Sequence, residues 1–389
     1  MDKSKWEYKK LGEVGDIITG GTPPTKDARN YSSNDYCFVK PSDLTDERIL
    51  FLDDSEFHVS SYAYSNSRKL PKGSVLVCCI GSIGKLGILN VDATCNQQIN
   101  AIIPKSGFDS KYLAYCLLAS KGVMLNIANA PVVPIINKSQ FSNIEIKTCP
   151  IADQQRIVAE LDCLNEMIAV KQEQLKEFDK LAQSIFYDMF GDPVSNEKGW
   201  KQCLLKDVSK TITDGDHMPP PKSDSGVPFV TISNVDKDTR QIDFSSTFYV
   251  PRDYYDNIPE SKKPQVGDVL YTVTGSYGIP ILIKEEKEFC FQRHIGLIRP
   301  NKDIEPTFLC MWAGCHSVKN YADRYATGVA QKTVSLKVLR NFPIIVPHLS
   351  LQQQFADKIS AIEAQKELVK QSIAETQALL DYTMDKYFG

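Results

Sequence analysis

Two clusters of residues carry recognisable chemistry: Gln97-Gln98, and Gln292-Arg293-His294. A glutamine amide can donate to and accept from one adenine at once, and an arginine fork can do the same with guanine, so both clusters could read base edges. A polar strand end without a partner would look the same. Ser82 lies in a Gly-Ser-Ile-Gly stretch and Ser276-Tyr277 in Gly-Ser-Tyr-Gly. Glycines there let a ligand approach the backbone, and a free N–H can meet a phosphate; an ordinary turn between strands is the alternative. Asn137-Lys138 and Gln331-Lys332-Thr333 fall in matching loops and are further candidate nucleic-acid contacts. Lys26, Arg29, Lys40, Lys85 and Lys222 could neutralise phosphates, which positions a duplex without specifying its sequence; any one surface lysine is more often simply solvated. Thr22 and His217 complete the set. His217 follows Asp214-Gly215-Asp216, but Gly20-Gly21-Thr22 stands at the equivalent place, so a variable recognition loop is favoured over a metal motif.

Catalytic motifs are missing. Met218-Pro219-Pro220-Pro221-Lys222 lacks the Asn or Asp before the prolines, and the aromatic after them, that a methyltransferase loop needs. Gly84-Lys85-Leu86 lacks the upstream glycine and the hydroxyl of a nucleotide-binding P-loop. Glu145-Ile146-Lys147 could serve a metal nuclease, but Pro343-Ile344-Ile345 replaces it in the second half, which reads as a strand end. Cys310, Cys315 and His316 fall short of the four ligands of a tetrahedral zinc site. The 11 cysteines are scattered without CxxC spacing and read as reduced, packed thiols.

These residues sit on a duplicated framework. Trp6, Leu11, Glu13 and Val14 return as Trp200, Leu205, Asp207 and Val208. Lys72–Gly84 (KGSVLVCCIGSIG) aligns without a gap with Val266–Gly278 (VGDVLYTVTGSYG), and Phe190-Gly191 with Phe388-Gly389. Ile18-Thr19-Gly20-Gly21 is aligned with Ile212-Thr213-Asp214-Gly215. A repeat of this length sets the architecture before any single motif does. Each half opens with short apolar runs bounded by glycine, which read as buried strands, with a helix predicted from Asp109 to Ser120. This gives mixed α/β globules over 1–149 and 200–346, with a linker at 191–199 leading into the second.

Residues 150–190 and 347–389 differ in kind. Between Ala152 and Phe190 there is neither proline nor glycine. Ile157, Leu161, Leu164, Ile168, Leu175, Phe178, Ala182, Ile185 and Met189 recur in steps of four and three, with a gap at Lys171; that is a heptad seam. Phe355, Ile359, Ile362, Val369, Ile373, Leu380 and Tyr387 repeat it, interrupted by Lys366, Thr376 and Thr383. A helix of about 35 residues is roughly 50 Å long, too long for its stripe to be covered by one small globule. Two such helices are expected to pack on each other, antiparallel if a pseudo-two-fold axis relates the halves, giving a dumbbell. The fold class is therefore α+β. Residues 150–190 carry 4 basic and 8 acidic groups and 347–389 carry 4 and 6, whereas each globule is mildly basic within a net charge of −3. The helix faces are thus expected to meet solvent or protein rather than phosphate. With 42% hydrophobic and 24% charged residues the chain is an ordinary globular protein. No run of about 18 apolar residues is present, so no transmembrane helix is expected. The charged start is unlike a signal peptide, and a cytoplasmic location is expected.

The ordered, doubled set of motifs resembles the specificity subunit of type I restriction–modification enzymes. It comprises Trp6–Val14, Ile18–Pro24, the two Gly-Ser turns, the Pro150–Ile157 helix entrance and the Phe190–Pro193 junction. The second helix entrance, His348-Leu349-Ser350-Leu351, departs from the first. The resemblance implies a non-catalytic subunit with two target-recognition domains, each reading one half of an asymmetric DNA target. It implies a helical ruler for the spacer, two partner methylation subunits, and restriction–translocase subunits. S-adenosylmethionine, ATP and Mg would be bound by the partners, with no cofactor or metal on this chain. Readers on one face of a duplex must be roughly 34 Å apart or a multiple, which a rod of this kind can set. A stand-alone DNA-modifying enzyme and a coiled-coil adaptor without a DNA role remain the competing readings.

Overall fold

The computed structural model describes residues 6–46, 48–128, 133–328 and 332–389. The chain forms two compact units, Met1–Gln172 with Gln371–Gly389, and Glu173–Lys370.

In the first unit a five-stranded sheet runs in the order Gly15–Thr19, Ile99–Pro104, Val75–Cys78, Leu86–Leu89, Phe51–Leu52. All its pairings are antiparallel except the last. A three-stranded sheet sets His58–Val59 antiparallel, and Ala93–Cys95 parallel, to Tyr36–Val39. Val75–Cys78 is buried throughout, as an apolar run bounded by glycine should be. Glu7–Lys10 pairs with Glu145–Thr148, so Glu145 lies exposed on a two-stranded ribbon opposite Lys10. The helix predicted from Asp109 forms over Ser110–Ala119, its first turn capped by the Asp109 carboxylate accepting from the Lys111 and Tyr112 amides.

The second unit repeats the plan. Ser209–Asp214, Ile295–Pro300, Val269–Thr272 and Pro280–Leu282 form one sheet; Phe248–Val250, Val227–Val230 and Cys290–Phe291 form the other. Val235–Asp236 and Gln241–Ile242 add a small hairpin.

Two helices of 40 residues, Ile151–Phe190 and Leu349–Phe388, carry the seams. In the first unit Ile157, Leu161, Leu164 and Ile168 join the globule core together with Leu380 and Tyr387, and Ile373 packs at the edge. The start of one helix therefore lies on the end of the other, which is antiparallel pairing. In the second unit Phe355, Ile359 and Ile362 meet Ala182, Phe186 and Phe190. Here the packing departs from the heptad count. Phe186 and Phe190 are almost wholly buried, whereas Ile185 is only partly so. Their rings meet Phe308 and Phe355 at centroid distances of 4.9–5.6 Å. A straight helix drifts about 20° per heptad against a strict 3.5-residue repeat, and the aromatic pair has rotated into the core by this point. Leu175, Phe178, Val369 and Ile373 are half-buried.

The polar interruptions belong to the seams. The Lys171 ammonium donates to Thr376 Oγ1 at 2.7 Å and to the Ser372 carbonyl at 3.3 Å. Thr376 and Thr383 are buried. Lys366 pairs with Asp179 at 2.7 Å and Glu363 at 3.1 Å. Burial opposes the charge on Lys366, but these two carboxylates outweigh it and raise its pKa.

Each helix is fastened to its globule by a wholly buried glutamine. Gln154 Oε1 accepts from the Asp109 amide at 2.9 Å, and its Nε2 donates to the Gly107 and Cys149 carbonyls at 3.1 and 2.8 Å. Gln352 does the same with the Glu305 amide and the Asp303 and Pro347 carbonyls, at 2.9, 3.1 and 2.9 Å. The departures at the second helix entrance leave this joint unchanged.

Candidate nucleic-acid interface

In the first unit the parallel strands Tyr36–Val39 and Ala93–Cys95 end side by side, which brings Lys40 next to Asn96-Gln97-Gln98. Asn96 is buried and shapes the turn: its Oδ1 accepts from the Gln98 amide at 3.0 Å and its Nδ2 donates to Gln98 Oε1 at 2.9 Å. Gln97 is exposed, and its Oε1 accepts from the Thr22 hydroxyl at 2.6 Å. The loop carrying Thr22 is laid on the turn by Gly20 N–H to Ile99 O and Gly21 N–H to Cys95 O. Arg68 clasps it by donating to the Thr19 and Gly20 carbonyls. A Cβ at Gly20 would lie 2.1 Å from the Asn96 carbonyl oxygen, so the close approach requires glycine.

The Gly81-Ser82-Ile83-Gly84 turn is adjacent, held by Cys79 N–H to Gln98 O and Gly81 N–H to Pro134 O, and it leaves Ser82 exposed. Thr22, Lys40, Ser82, Gln97 and Gln98 are therefore brought to one edge by bonds among their own segments. Lys40 lies over the Phe57 ring, 3.0 Å from its centre. Lys85 is half-buried; Lys26 and Arg29 are exposed, Arg29 pairing with Asp27 at 2.8 Å. Asn137 caps the short helix Lys138–Ser142, accepting from the Gln140 amide, while Lys138 is exposed.

The second unit builds the same turn from different side chains. Gln292 N–H bonds Val230 O, and Val273 N–H bonds His294 O. Here Gly215 N–H bonds Ile295 O and Asp216 N–H bonds Phe291 O. Gly20 thus corresponds to Gly215, and the expected alignment of this loop shifts by one residue. Sequence identity favoured the other register; the reason for the true one is steric, since a Cβ on Gly215 would lie 1.9 Å from the Phe291 oxygen.

Arg293 is exposed, and with Asp214, His294, Thr333 and Ser335 it lines an open recess of about 440 Å³. Burial, and next the Arg293 charge, lower the His294 pKa below its usual value, so the ring is neutral at pH 7. His217 Nε2 lies 2.9 Å from Asp214 Oδ2. Lys222 is exposed beside Phe248, 4.9 Å from its ring centre. Ser276 is exposed, but Tyr277 is not available at the surface. It is buried, its hydroxyl donates to Asp323 at 2.6 Å, and that bond with burial pushes its pKa up to about 12. Its ring is occupied by the Lys319 ammonium, which makes it a support for the turn rather than a contact.

Lys332 is exposed and Thr333 donates to Thr274 Oγ1 at 3.3 Å; Gln331 lies outside the described residues. The loops before the last strands also shift. Gly275 N–H bonds Lys332 O as Gly81 N–H bonds Pro134 O, so Asn137 corresponds to Ser335, which caps its own helix. Sequence reading passed over Asn96, Arg68 and Asp216. Asn96 stands just past the end of a short strand, and only that register betrays it.

The sequence model of the type I restriction modification DNA specificity domain matches residues 3–178 and 197–378. The chain belongs to this family. Among specificity-domain proteins, the type I restriction enzyme MjaIX specificity subunit of Methanocaldococcus jannaschii is 28% identical over 255 residues, covering 60% of this chain and 58% of that protein. The EcoR124I/EcoR124II specificity subunit of Escherichia coli is 32% identical over 166 residues, 40% of each chain. The chain therefore spans little more than half of the M. jannaschii relative. A chain from a structure on complex assembly and conformational transition of the type I R-M system superposes with a TM-score of 0.64 at 18% identity, over 98% of this chain and 97% of that one. The type I S subunit from M. genitalium gives 0.51 at 13% identity, over 99% and 96%. Both likenesses are of fold. Among the described residues no helix is long and apolar enough to cross a membrane.

Proposed function

We propose that this specificity-domain chain is the non-catalytic DNA-reading subunit of a type I restriction–modification enzyme. Each unit reads one half of an asymmetric target, and the long helices set the spacer. Two methylation subunits, with S-adenosylmethionine, and restriction subunits, with ATP and Mg, supply the chemistry. The observation that carries this reading is the shared turn with exchanged side chains. Thr22, Gln97 and Gln98 stand in one unit where His217, Arg293 and His294 stand in the other. A common scaffold with two different hydrogen-bonding surfaces suits a non-palindromic duplex. Lys40, Lys85 and Lys222 would hold phosphates.

The test is methylation mapping with the cognate methylation subunits. Gln97→Ala with Gln98→Ala is expected to relax one half-site only, by about 1–3 kcal/mol of base discrimination, and Arg293→Ala the other. Relaxation of both half-sites by either variant contradicts the assignment; methylation by the chain alone points to an enzyme instead. Inserting four residues, about one turn, into each long helix is expected to lengthen the tolerated spacer. A spacer that stays the same length speaks against the ruler.

A further inference from the structure

We propose that Cys37, Asp54 and His58 form a binding site for a thiolate-accepting divalent metal ion, with zinc the best match. This lies outside the base-reading turn and does not depend on the DNA reading. Cys37 and His58 are direct partners across the antiparallel pair Tyr36–Val39 and His58–Val59. Directly opposed residues project to the same face of a sheet. Asp54, four residues before His58, folds back onto the pair. Cys37 Sγ lies 3.7 Å from Asp54 Oδ1, His58 Nε2 lies 2.7 Å from the same oxygen, and all three donor atoms fall within 4.8 Å of one another. No other such group of three occurs among the described residues.

Zinc bonds of about 2.0–2.3 Å in a tetrahedron put neighbouring donor atoms roughly 3.3–3.7 Å apart. The sulfur–oxygen spacing already fits. The His–Asp spacing must open by about half an ångström when the ion replaces the shared proton. Cys37 is buried, the His58 side chain is 23% exposed and that of Asp54 is 77% exposed. The soft ligand is therefore sheltered while an entry path stays open, and water can take the fourth position. A packed thiol beside an ordinary His–Asp hydrogen bond is the competing account.

The ion would staple the segment between Leu52 and His58 to the sheet. That segment carries Phe57, whose ring supports Lys40. Binding releases the thiol proton and stabilises the folded state by mass action.

The experiment titrates the full chain with Co²⁺ as a spectroscopic probe, in a Cys163→Ser background to remove the exposed thiol. The expected result is one equivalent bound with a thiolate-to-cobalt charge-transfer band, displaced by Zn²⁺, and a thermal midpoint that rises with Zn²⁺. Cys37→Ser should abolish the band. His58→Ala, at a partly exposed position that leaves the thiol intact, should weaken binding by at least the roughly 10–100-fold that loss of an outer-shell partner costs. No band, a band that survives Cys37→Ser, or unchanged affinity in His58→Ala overturns the site.

Discussion

Gln154→Leu is expected to cost the first unit on the order of 3–5 kcal/mol. The substitution keeps the volume and removes the amide. It strands the Asp109 N–H and the Gly107 and Cys149 carbonyls around a side chain with no exposed surface. A buried group left without a partner, as at Cys149, costs about 1–3 kcal/mol, and one that water can reach, as on exposed Gly107, costs less. Gln352→Leu should cost the second unit a similar amount, because its three bonds are the same in kind and length. Urea denaturation, followed by intrinsic fluorescence, reads the change in midpoint. A loss below about 1 kcal/mol in both variants would show that water or a shifted backbone satisfies these groups, and that the joint is not what the geometry indicates.

Phe190→Ala is expected to destabilise the second unit by about 3–5 kcal/mol, the range for deleting a buried aromatic ring. Phe190 has no exposed surface and contacts the rings of Phe186, Phe308, Phe355 and Trp200. The Trp200 indole N–H also donates to the Phe190 carbonyl at 2.8 Å, a bond the substitution leaves in place. The cost should therefore come from the cavity. Phe178→Ala, at a half-buried seam position, should cost less than half as much. Equal losses at the two positions would mean that the heptad count, and not the aromatic cluster, describes this end of the helix. Denaturant midpoints with unchanged slopes separate the two outcomes.

The duplicated plan was legible because its signals are local. Glycine-bounded apolar runs, the Asp109 cap and the proline-free stretch from Ala152 each act within a few residues. The turn of the seam at Phe186 and Phe190 was not legible, since it depends on how far a straight helix has drifted when it reaches Phe308. Lys171, Lys366 and Thr376 looked like breaks because a one-dimensional stripe cannot show the acceptor on the facing helix. In the candidate interface turn, Gln97 and Arg293 could be picked out by residue type. The one-residue shift from Gly20 to Gly215 could not, because it is fixed by hydrogen bonds from the glycine N–H groups to the Ile99 and Ile295 carbonyls, about 80 residues downstream of each glycine. Tyr277 looked like a contact because its partner Asp323 is 46 residues away. Cys37, Asp54 and His58 carry no spacing motif at all; strand pairing sets Cys37 opposite His58, and the turn before that strand brings in Asp54.

The two glutamine joints have a consequence for how such proteins can change. Every atom they grip in the globule belongs to the main chain: an amide at Asp109 or Glu305, a carbonyl at Gly107 or Asp303. Nothing in the fastening inspects side chains. A globule with the same bend of backbone, and an apolar face that fits Ile157, Leu161 and Leu164, would meet the same helix, so a whole globule can be exchanged without redesigning the joint.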